Sequence, residues 1–206
     1  MYEGETIKYL SDLEKEALFK VIQNDNSLHS IRNKAIFYLA EYGALRASEV
    51  GMIKVSDFNR SARTIYFRRL KGSKNNTLRI LEPRVYDSLI EYLNHRSTAD
   101  IDSDLLFLSQ KGTPISRKTL DDIMKKYCLM AGIPKEKAHF HALKHTRAVY
   151  LADMGLDTKE IQYWTGHKRI QNTEIYFQFT SRQQDALFQK FSLLMEQQGA
   201  SCIIQI

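Results

Sequence analysis

A chain of 206 residues, with 43% hydrophobic and 11% aromatic side chains, can build a real core as one sizeable domain or two small ones, which excludes a disordered protein. The 30 Lys and Arg residues against 24 Asp and Glu give a formal net charge of +6, which permits a polyanionic partner without requiring one. Two widely separated cysteines, Cys128 and Cys202, argue against a disulfide framework. The sequence has neither a signal peptide nor an apolar run of roughly 20 residues, so we expect a soluble, cytoplasmic protein that does not cross a membrane.

Two helices are predicted at the start of the chain. Ser11, with Glu14 three residues later, has the pattern of a capping box, and apolar residues follow it at helical spacing. The segment SIRNKAIFYLAEYG predicts a second helix that begins at Ser30 and stops at Gly43. The segment ALRASEVGMI forms the next turn, and the period of the apolar residues changes after it.

A small antiparallel hairpin is predicted next. The segments RTIYFRRL and NTLRILE are rich in β-formers, and KGSKN between them supplies the glycine and asparagine of a hairpin connection. This places Lys71 and Lys74 at the hairpin tip. Taken alone, two lysines there are also what a solvated turn would carry.

Helices are predicted for the rest of the chain, so the fold class is mainly α with a small antiparallel β-sheet (α+β) in one domain. The predicted helical segments are PRVYDSLIEYLNHR, SRKTLDDIMKKYCLMAG ending at Gly132, AHFHALKHTRAVYLADMG ending at Gly155, the short DTKEIQYWTG, and a last helix over about 182–198.

His141 and His145 are four residues apart and therefore share a helix face. Two histidines at this spacing can bind zinc, but a metalloprotease helix needs Glu directly after the first histidine, where this chain has Ala142. We therefore expect no metal. Taken alone, His145 is interpreted as a satisfied helix histidine, with Lys144 and Arg147 on a solvated basic face.

Other candidate residues also have ordinary explanations when taken singly. Arg46 follows a glycine helix stop and can simply pair with Glu49 at i,i+3 spacing. Tyr176 lies in NTEIYFQF among apolar residues, where a tyrosine is usually part of the core with its hydroxyl at the rim.

The ordered set of motifs resembles the catalytic domain of the tyrosine recombinases, the phage integrase family, over roughly residues 8–182. The chain reads G-x-L-R-x-S-E, a hairpin lysine, H-x-L-K-H-T, and then G-H with a tyrosine nine residues after that histidine. The resemblance implies the fold of that domain and double-stranded DNA as the substrate. It also implies strand breakage and rejoining through a 3′-phosphotyrosine and a Holliday junction, with neither a metal nor a nucleotide cofactor.

The resemblance also assigns roles at a phosphate that gains negative charge in the transition state. Arg46 matches the first clamping arginine, with Glu49 as the residue that orients it. His141 and His167 match histidines that donate hydrogen bonds to phosphate oxygens or assist proton transfer. Tyr176 matches the nucleophile.

A lysine on the hairpin supplies the proton to the departing 5′-oxygen in this family. Lys71 is our choice for this general acid. Lys74 is the alternative, because the register of the hairpin does not follow from the sequence.

One position departs from the family pattern. Lys144 stands where H-x-L-R-H would place the second arginine, which keeps the charge but removes the bidentate fork. Either Lys144 acts as a point charge, or Arg147, about one turn later, reaches the phosphate instead. We favour Lys144.

The domain prediction is a catalytic domain over residues 1–182 and a C-terminal helix and tail over 183–206. The family's N-terminal DNA-clamping domain is expected to be absent, because the helix beginning near Ser11 already matches the start of the catalytic domain; the chain is then either a fragment or a naturally short member. The C-terminal element either packs on its own domain or docks on a neighbouring protomer in a tetramer on DNA. Free in solution we expect a monomer or a weak oligomer.

Two other functions stay open at this stage. A type IB topoisomerase shares the strand-breaking chemistry, although the compact size and the spacing from TGH to NTEIY favour a recombinase. A catalytically weakened DNA-binding regulator is the third reading, for which Lys144 is the sequence hint. Integration and excision within a mobile element, inversion of a switch, and dimer resolution are all compatible with the sequence.

Overall fold

A computed structural model describes residues 7–98, 101, 103–177 and 187–196. The predicted fold class is confirmed, because helices surround one small antiparallel sheet. The helices are α1 Asp12–Gln23, α2 Ser30–Tyr42, α3 Ala47–Val50, α4 Pro83–Thr98, α5 Arg117–Met130, α6 His141–Asp153, α7 Thr158–Thr165 and α8 Gln171–Glu174. Short 3₁₀ turns lie at Val55–Asp57, Lys135–Lys137 and Ile175–Phe177, and a further helix spans 187–196.

Helix α2 is the central element of the core. Every residue from 35 to 42 is buried, and the helix packs against α1, α4 and α6. It begins at Ser30 and stops at Gly43, as predicted, although the residue in its N-cap position is His29, whose side chain makes no capping hydrogen bond. The capping box of Ser11 and Glu14 at the start of α1 is confirmed.

The sheet has the order β1-β2-β3, with β1 Phe58–Asn59, β2 Thr64–Phe67 and β3 Asn76–Arg79. The predicted hairpin is confirmed as β2 and β3, which pair antiparallel with Ile65 opposite Leu78. Strand β1 was not predicted, because two residues are too short for a periodic signal. The loop 68–75 between β2 and β3 is long enough to leave the sheet and reach the helices.

Helix α6 begins at His141, so the prediction of a helix over the whole AHFHALKH segment was wrong at its start. The backbone N–H of Phe140, the residue before the helix, donates to the Asp121 carboxylate on α5 at 3.0 Å. This tertiary hydrogen bond outweighs the local helical propensity of the preceding residues. Because the helix starts here, His141 lies in its first turn.

Helix α7 ends at Thr165 and is capped by Gly166, which adopts a left-handed conformation with φ 69°. A Cβ atom at this position would lie 2.7 Å from the carbonyl oxygen of Lys74, so only glycine allows the hairpin loop to approach. The backbone N–H of Lys74 donates to the Gly166 carbonyl at 2.8 Å, and Ser73 forms a bridge with His167. The hairpin loop is thus held against the segment that leads to Tyr176.

The predicted C-terminal helix lies partly within the described residues. Residues 187–196 are helical and their side chains are exposed, whereas the ends predicted near 182 and 198 lie outside the described residues. Cys128 is buried in α5, and Cys202 lies outside the described residues. None of the helices in the described part of the chain combines the length and apolarity that a membrane crossing needs.

Candidate active site

Arg46 and Glu49 form one wall of the candidate site. Arg46 occupies the N-cap position of α3, and its Nη1 donates to Glu49 Oε1 at 3.0 Å and to Ser73 Oγ at 2.9 Å. The Glu49 side chain is fully buried and also accepts from the backbone N–H groups of Arg46 and Leu70. Glu49 therefore fixes both the backbone and the guanidinium of Arg46.

Arg69 is a buried residue of the site that the sequence analysis missed. Its Nη1 donates to Glu49 Oε2 at 3.1 Å, and its Nη2 donates to the carbonyls of Gly43 and Trp164. It therefore ties the hairpin loop to the end of α2 and to α7. The sequence pattern could have indicated its burial, because Arg69 continues the alternation of the buried residues Ile65 and Phe67 of β2.

These two arginines set the charge state of Glu49. Burial opposes ionisation of this carboxyl, but the nearby Arg69 and the hydrogen bond from the Arg46 backbone outweigh it and hold the pKa of Glu49 below its ordinary value. The centre of the site therefore contains an ionised carboxylate with guanidinium groups around it.

Lys144 lies behind this wall, 1% exposed. Its Nζ donates to the Ala44 carbonyl at 3.0 Å and to the Thr165 carbonyl at 2.9 Å. Burial, with Arg69 and Arg46 nearby, lowers the pKa of Lys144 well below its usual value. Lys144, which occupies the position of the family's second arginine, is therefore close to Arg46. Its two hydrogen bonds join the turn before α3 to the end of α7.

Arg147 faces a different set of partners. Its Nη1 lies 2.6 Å from Glu82 Oε1 and 3.8 Å from Glu41 Oε2. Its guanidinium also packs over the rings of Tyr42 and Trp164, at 4.7 and 5.0 Å from their centroids. This geometry favours Lys144 over Arg147 as the second cation of the site.

The predicted histidines, His141 and His167, lie in different parts of the site. His141 lines a cavity of about 470 Å³ together with Arg46, and burial, then Lys144 and Arg46, lower its pKa to about 4. His167 places Nδ1 3.0 Å from Thr173 Oγ1, and its ring stacks on that of Tyr176 with centroids 6.1 Å apart. Burial, then Lys144 and Arg46, lower the pKa of His167 to about 3.

Tyr176 is 3% exposed and belongs to a small apolar cluster with residues of α6 and α7, such as Val149 and Ile161. Its hydroxyl oxygen lies 2.9 Å from Nδ1 of His145. Burial raises the pKa of Tyr176 above its ordinary value, and Arg46 opposes this shift. The ring is thus a core residue, as one of the sequence interpretations held, while its hydroxyl faces a histidine that was read as a satisfied helix residue.

The two candidate lysines of the hairpin are both exposed. Lys71 follows Leu70, whose backbone contacts Glu49 and whose side chain lines the same cavity as Arg46. Lys74 lies at the contact with Gly166 and borders a separate hollow that includes His167. Both positions are therefore next to the site.

The cavity beside Arg46 has further polar side chains that the sequence analysis did not single out. Arg117 and Lys125 on α5 and His139 before α6 line it, with Asp121 among them. Cations dominate this lining, which suits an anionic ligand. Within the described residues, no group of three or more His, Cys, Asp or Glu side chains is arranged to hold a metal ion.

A sequence model of the phage integrase family matches residues 8–182. The chain belongs to this family. It is 34% identical over 169 residues to the type 1 fimbriae regulatory protein FimB of Escherichia coli strain K12, and the match covers 82% of each chain. It is 30% identical over 190 residues to the tyrosine recombinase XerA of Pyrococcus furiosus, covering 91% of this chain and 63% of XerA.

Solved structures agree with the sequence relatives. The crystal structure of XerA recombinase has a TM-score of 0.77 at 28% identity, covering 89% of this chain and 64% of that one. XerH recombinase bound to its difH substrate has a TM-score of 0.73 at 25% identity, covering 82% and 49%. The chain thus spans about half to two thirds of the length of these Xer proteins. The predicted membership of the tyrosine recombinases is confirmed, and the relatives support a site-specific recombinase rather than a topoisomerase.

Proposed function

We propose that the chain is a site-specific DNA recombinase that breaks and rejoins strands through a 3′-phosphotyrosine and a Holliday junction. The observation that carries the proposal is the proximity of family-matched side chains that come from distant parts of the sequence. Arg46 and His141 line one cavity, and Lys144 lies close to Arg46 and Glu49. The ring of His167 stacks on that of Tyr176, although these residues are spread over more than a hundred positions of sequence.

The charges fit a phosphodiester. The reaction places added negative charge on the nonbridging oxygens, so the main requirement is preorganised cations. Arg46 is held by Glu49 and Ser73 through one guanidinium nitrogen, Nη1, so the rest of its fork can meet a phosphate oxygen. Lys144 contributes a buried amino group whose lowered pKa a bound phosphate would raise, and the two histidines contribute hydrogen bonds.

Double-stranded DNA is the proposed partner, and the similar XerH recombinase was crystallised bound to its difH substrate. Assembly into a tetramer on two DNA sites is part of the proposal, with residues 183–206 as the element that docks between protomers and residues 1–182 as the catalytic domain. The exposed apolar side chains of Leu187, Phe188 and Phe191 on the helix over 187–196 support this role. The free chain is proposed to be a monomer or weak oligomer in the cytoplasm.

Covalent trapping on nicked DNA tests the proposal. Nicked duplexes tiled across the DNA on either side of the gene are incubated with the full chain, because loss of the short strand beyond the nick leaves the enzyme attached. We expect a denaturant-resistant protein–DNA complex that Tyr176→Phe abolishes while DNA binding in a gel-shift assay persists. If no Tyr176-dependent complex forms on these duplexes or on a randomised nicked library, the chain does not cleave DNA as proposed.

A further inference from the structure

His145 has no role among the residues carried over from the family pattern, yet it makes the hydrogen bond to the proposed nucleophile. Its Nδ1 lies 2.9 Å from the Tyr176 hydroxyl oxygen, which is an ordinary hydrogen-bond distance. The ring centroids are 5.7 Å apart, so the contact is made through the polar edges of the two side chains. His145 lies in the second turn of α6, one turn after His141.

We propose that His145 accepts the proton of Tyr176 when the tyrosine attacks the phosphate, an inference that rests on the proposed recombinase function. A general base must lie within hydrogen-bond reach of the proton that it removes, and His145 meets this condition. His141 and His167 are placed differently. His141 faces the Arg46 cavity, and His167 places its Nδ1 against Thr173 while its ring stacks on the tyrosine ring.

The step balances with groups already present. The Tyr176 oxygen forms a bond to phosphorus, and its proton passes to Nδ1 of His145. The bond between phosphorus and the 5′-oxygen breaks, and that oxygen takes a proton from the hairpin lysine, for which Lys71 is the proposed donor. Religation reverses both transfers, so each residue returns to its starting state.

The charge environment makes His145 available as an acceptor. Burial, followed by His141, Lys144, His139 and Arg46, lowers the pKa of His145 to about 3, so its imidazole is neutral at neutral pH and keeps a free lone pair. Burial and these neighbouring groups would also oppose the proton after transfer. A phosphodiester bound at Arg46 brings a negative charge that offsets them, so the proton transfer becomes favourable when the substrate is in place.

The tautomer of His145 can be measured without any DNA site. The proposal requires hydrogen on Nε2 and an unprotonated Nδ1 that accepts from the tyrosine. In the full chain with ¹⁵N-labelled histidine, NMR should show an acceptor-type Nδ1 signal for His145, which shifts in Tyr176→Phe while the signal of exposed His95 does not. A protonated Nδ1 on His145 would make it the donor and overturn the proposal.

Single-turnover cleavage supplies the second test, on the nicked duplex that traps the wild type best. We expect His145→Ala to lower the cleavage rate by about 100-fold or more, with imidazole in solution restoring part of it, and the matched control His95→Ala to cleave like the wild type. His145→Gln can still accept a hydrogen bond but cannot take the proton, so it should be as slow as His145→Ala. Thermal melting and gel shifts check that the variants fold and bind DNA.

The outcomes separate the two proposals. If the wild type traps DNA through Tyr176 but His145→Ala or His145→Gln cleaves at the wild-type rate or faster, His145 only holds the tyrosine inward and the proposal is wrong, while the recombinase function stands. If the wild type forms no Tyr176-dependent complex, both proposals fail.

Discussion

Replacing Arg147 with alanine is expected to destabilise the fold and to spare the cleavage chemistry. Arg147 is 4% exposed and forms ion pairs with Glu82 and Glu41. The Glu41 carboxyl is also buried, and burial raises its pKa even though Arg147 opposes the shift. Removal of the arginine would leave this carboxyl without its cation and open space against Tyr42 and Trp164.

The magnitude follows from burial. Breaking a buried ion pair by removing one partner costs about 3–5 kcal/mol, a large part of the roughly 5–15 kcal/mol that stabilises a typical domain. At about 2–4 °C per kcal/mol for a chain of this size, the melting temperature should fall by about 6–20 °C. The matched control is Arg84→Ala, since Arg84 also pairs with Glu82 but its side chain is 52% exposed. That pair should contribute no more than about 1 kcal/mol.

The decisive comparison is between Arg147→Ala and Lys144→Ala in the trapping assay, below the melting temperature of both. We expect Arg147→Ala to trap DNA at close to the wild-type rate. Lys144→Ala should be slower by about 100-fold or more, because it removes a buried amino group close to Arg46 whose charged form a bound phosphate would favour. If folded Arg147→Ala loses trapping while Lys144→Ala keeps it, the assignment of the second arginine's role to Lys144 is wrong.

Two further predictions concern Glu49 and the hairpin lysines. The pKa of Glu49 is lower in the folded protein than in the unfolded chain. The ionised carboxylate therefore stabilises the fold fully at a pH above the unfolded-state pKa, and this stabilisation is lost as the pH falls through the folded-state pKa. The free energy of unfolding of Glu49→Gln should therefore be about 3 kcal/mol lower than that of the wild type at pH 7. The difference should shrink in acid, and a difference that grows in acid would contradict the ion pairing with Arg69. For the general acid, Lys71→Ala should slow cleavage strongly and Lys74→Ala weakly, and a substrate with sulfur in place of the 5′-oxygen should rescue Lys71→Ala, because a thiolate leaves without a proton. Rescue of Lys74→Ala alone would reverse the assignment.

The parts of the fold that depend on local chemistry could be predicted from the sequence. The capping box at Ser11, the stop at Gly43 and the hairpin between β2 and β3 each follow from neighbouring residues, and all three are present. The start of α6 could not be predicted, because a tertiary hydrogen bond to Asp121 sets it. Local propensity contains no information about a partner on another helix.

The residues of the candidate site also fall into those that a local sequence pattern predicts and those that only tertiary contacts reveal. Motif order brought Arg46 and Tyr176 to attention, since each lies in a recognisable local pattern. Arg69 and His145 were missed, because their importance depends on contacts with Glu49 and Tyr176 across the fold. Burial also reversed one expectation, since Lys144 was read in isolation as part of a solvated face and is almost fully enclosed.

The candidate site contains more basic side chains than its one buried carboxylate, Glu49, can pair with. Glu49 meets both Arg46 and Arg69, while Lys144 is satisfied by neutral carbonyl oxygens. The Glu49 carboxylate also lies near Lys144, but it does not offset the burial of the amino group. Burial, and then the neighbouring basic groups, lower the pKa values of Lys144, His145 and His167, and an entering phosphate group would raise them again. In the proposed mechanism, binding of the anionic phosphate would therefore also make Tyr176 reactive.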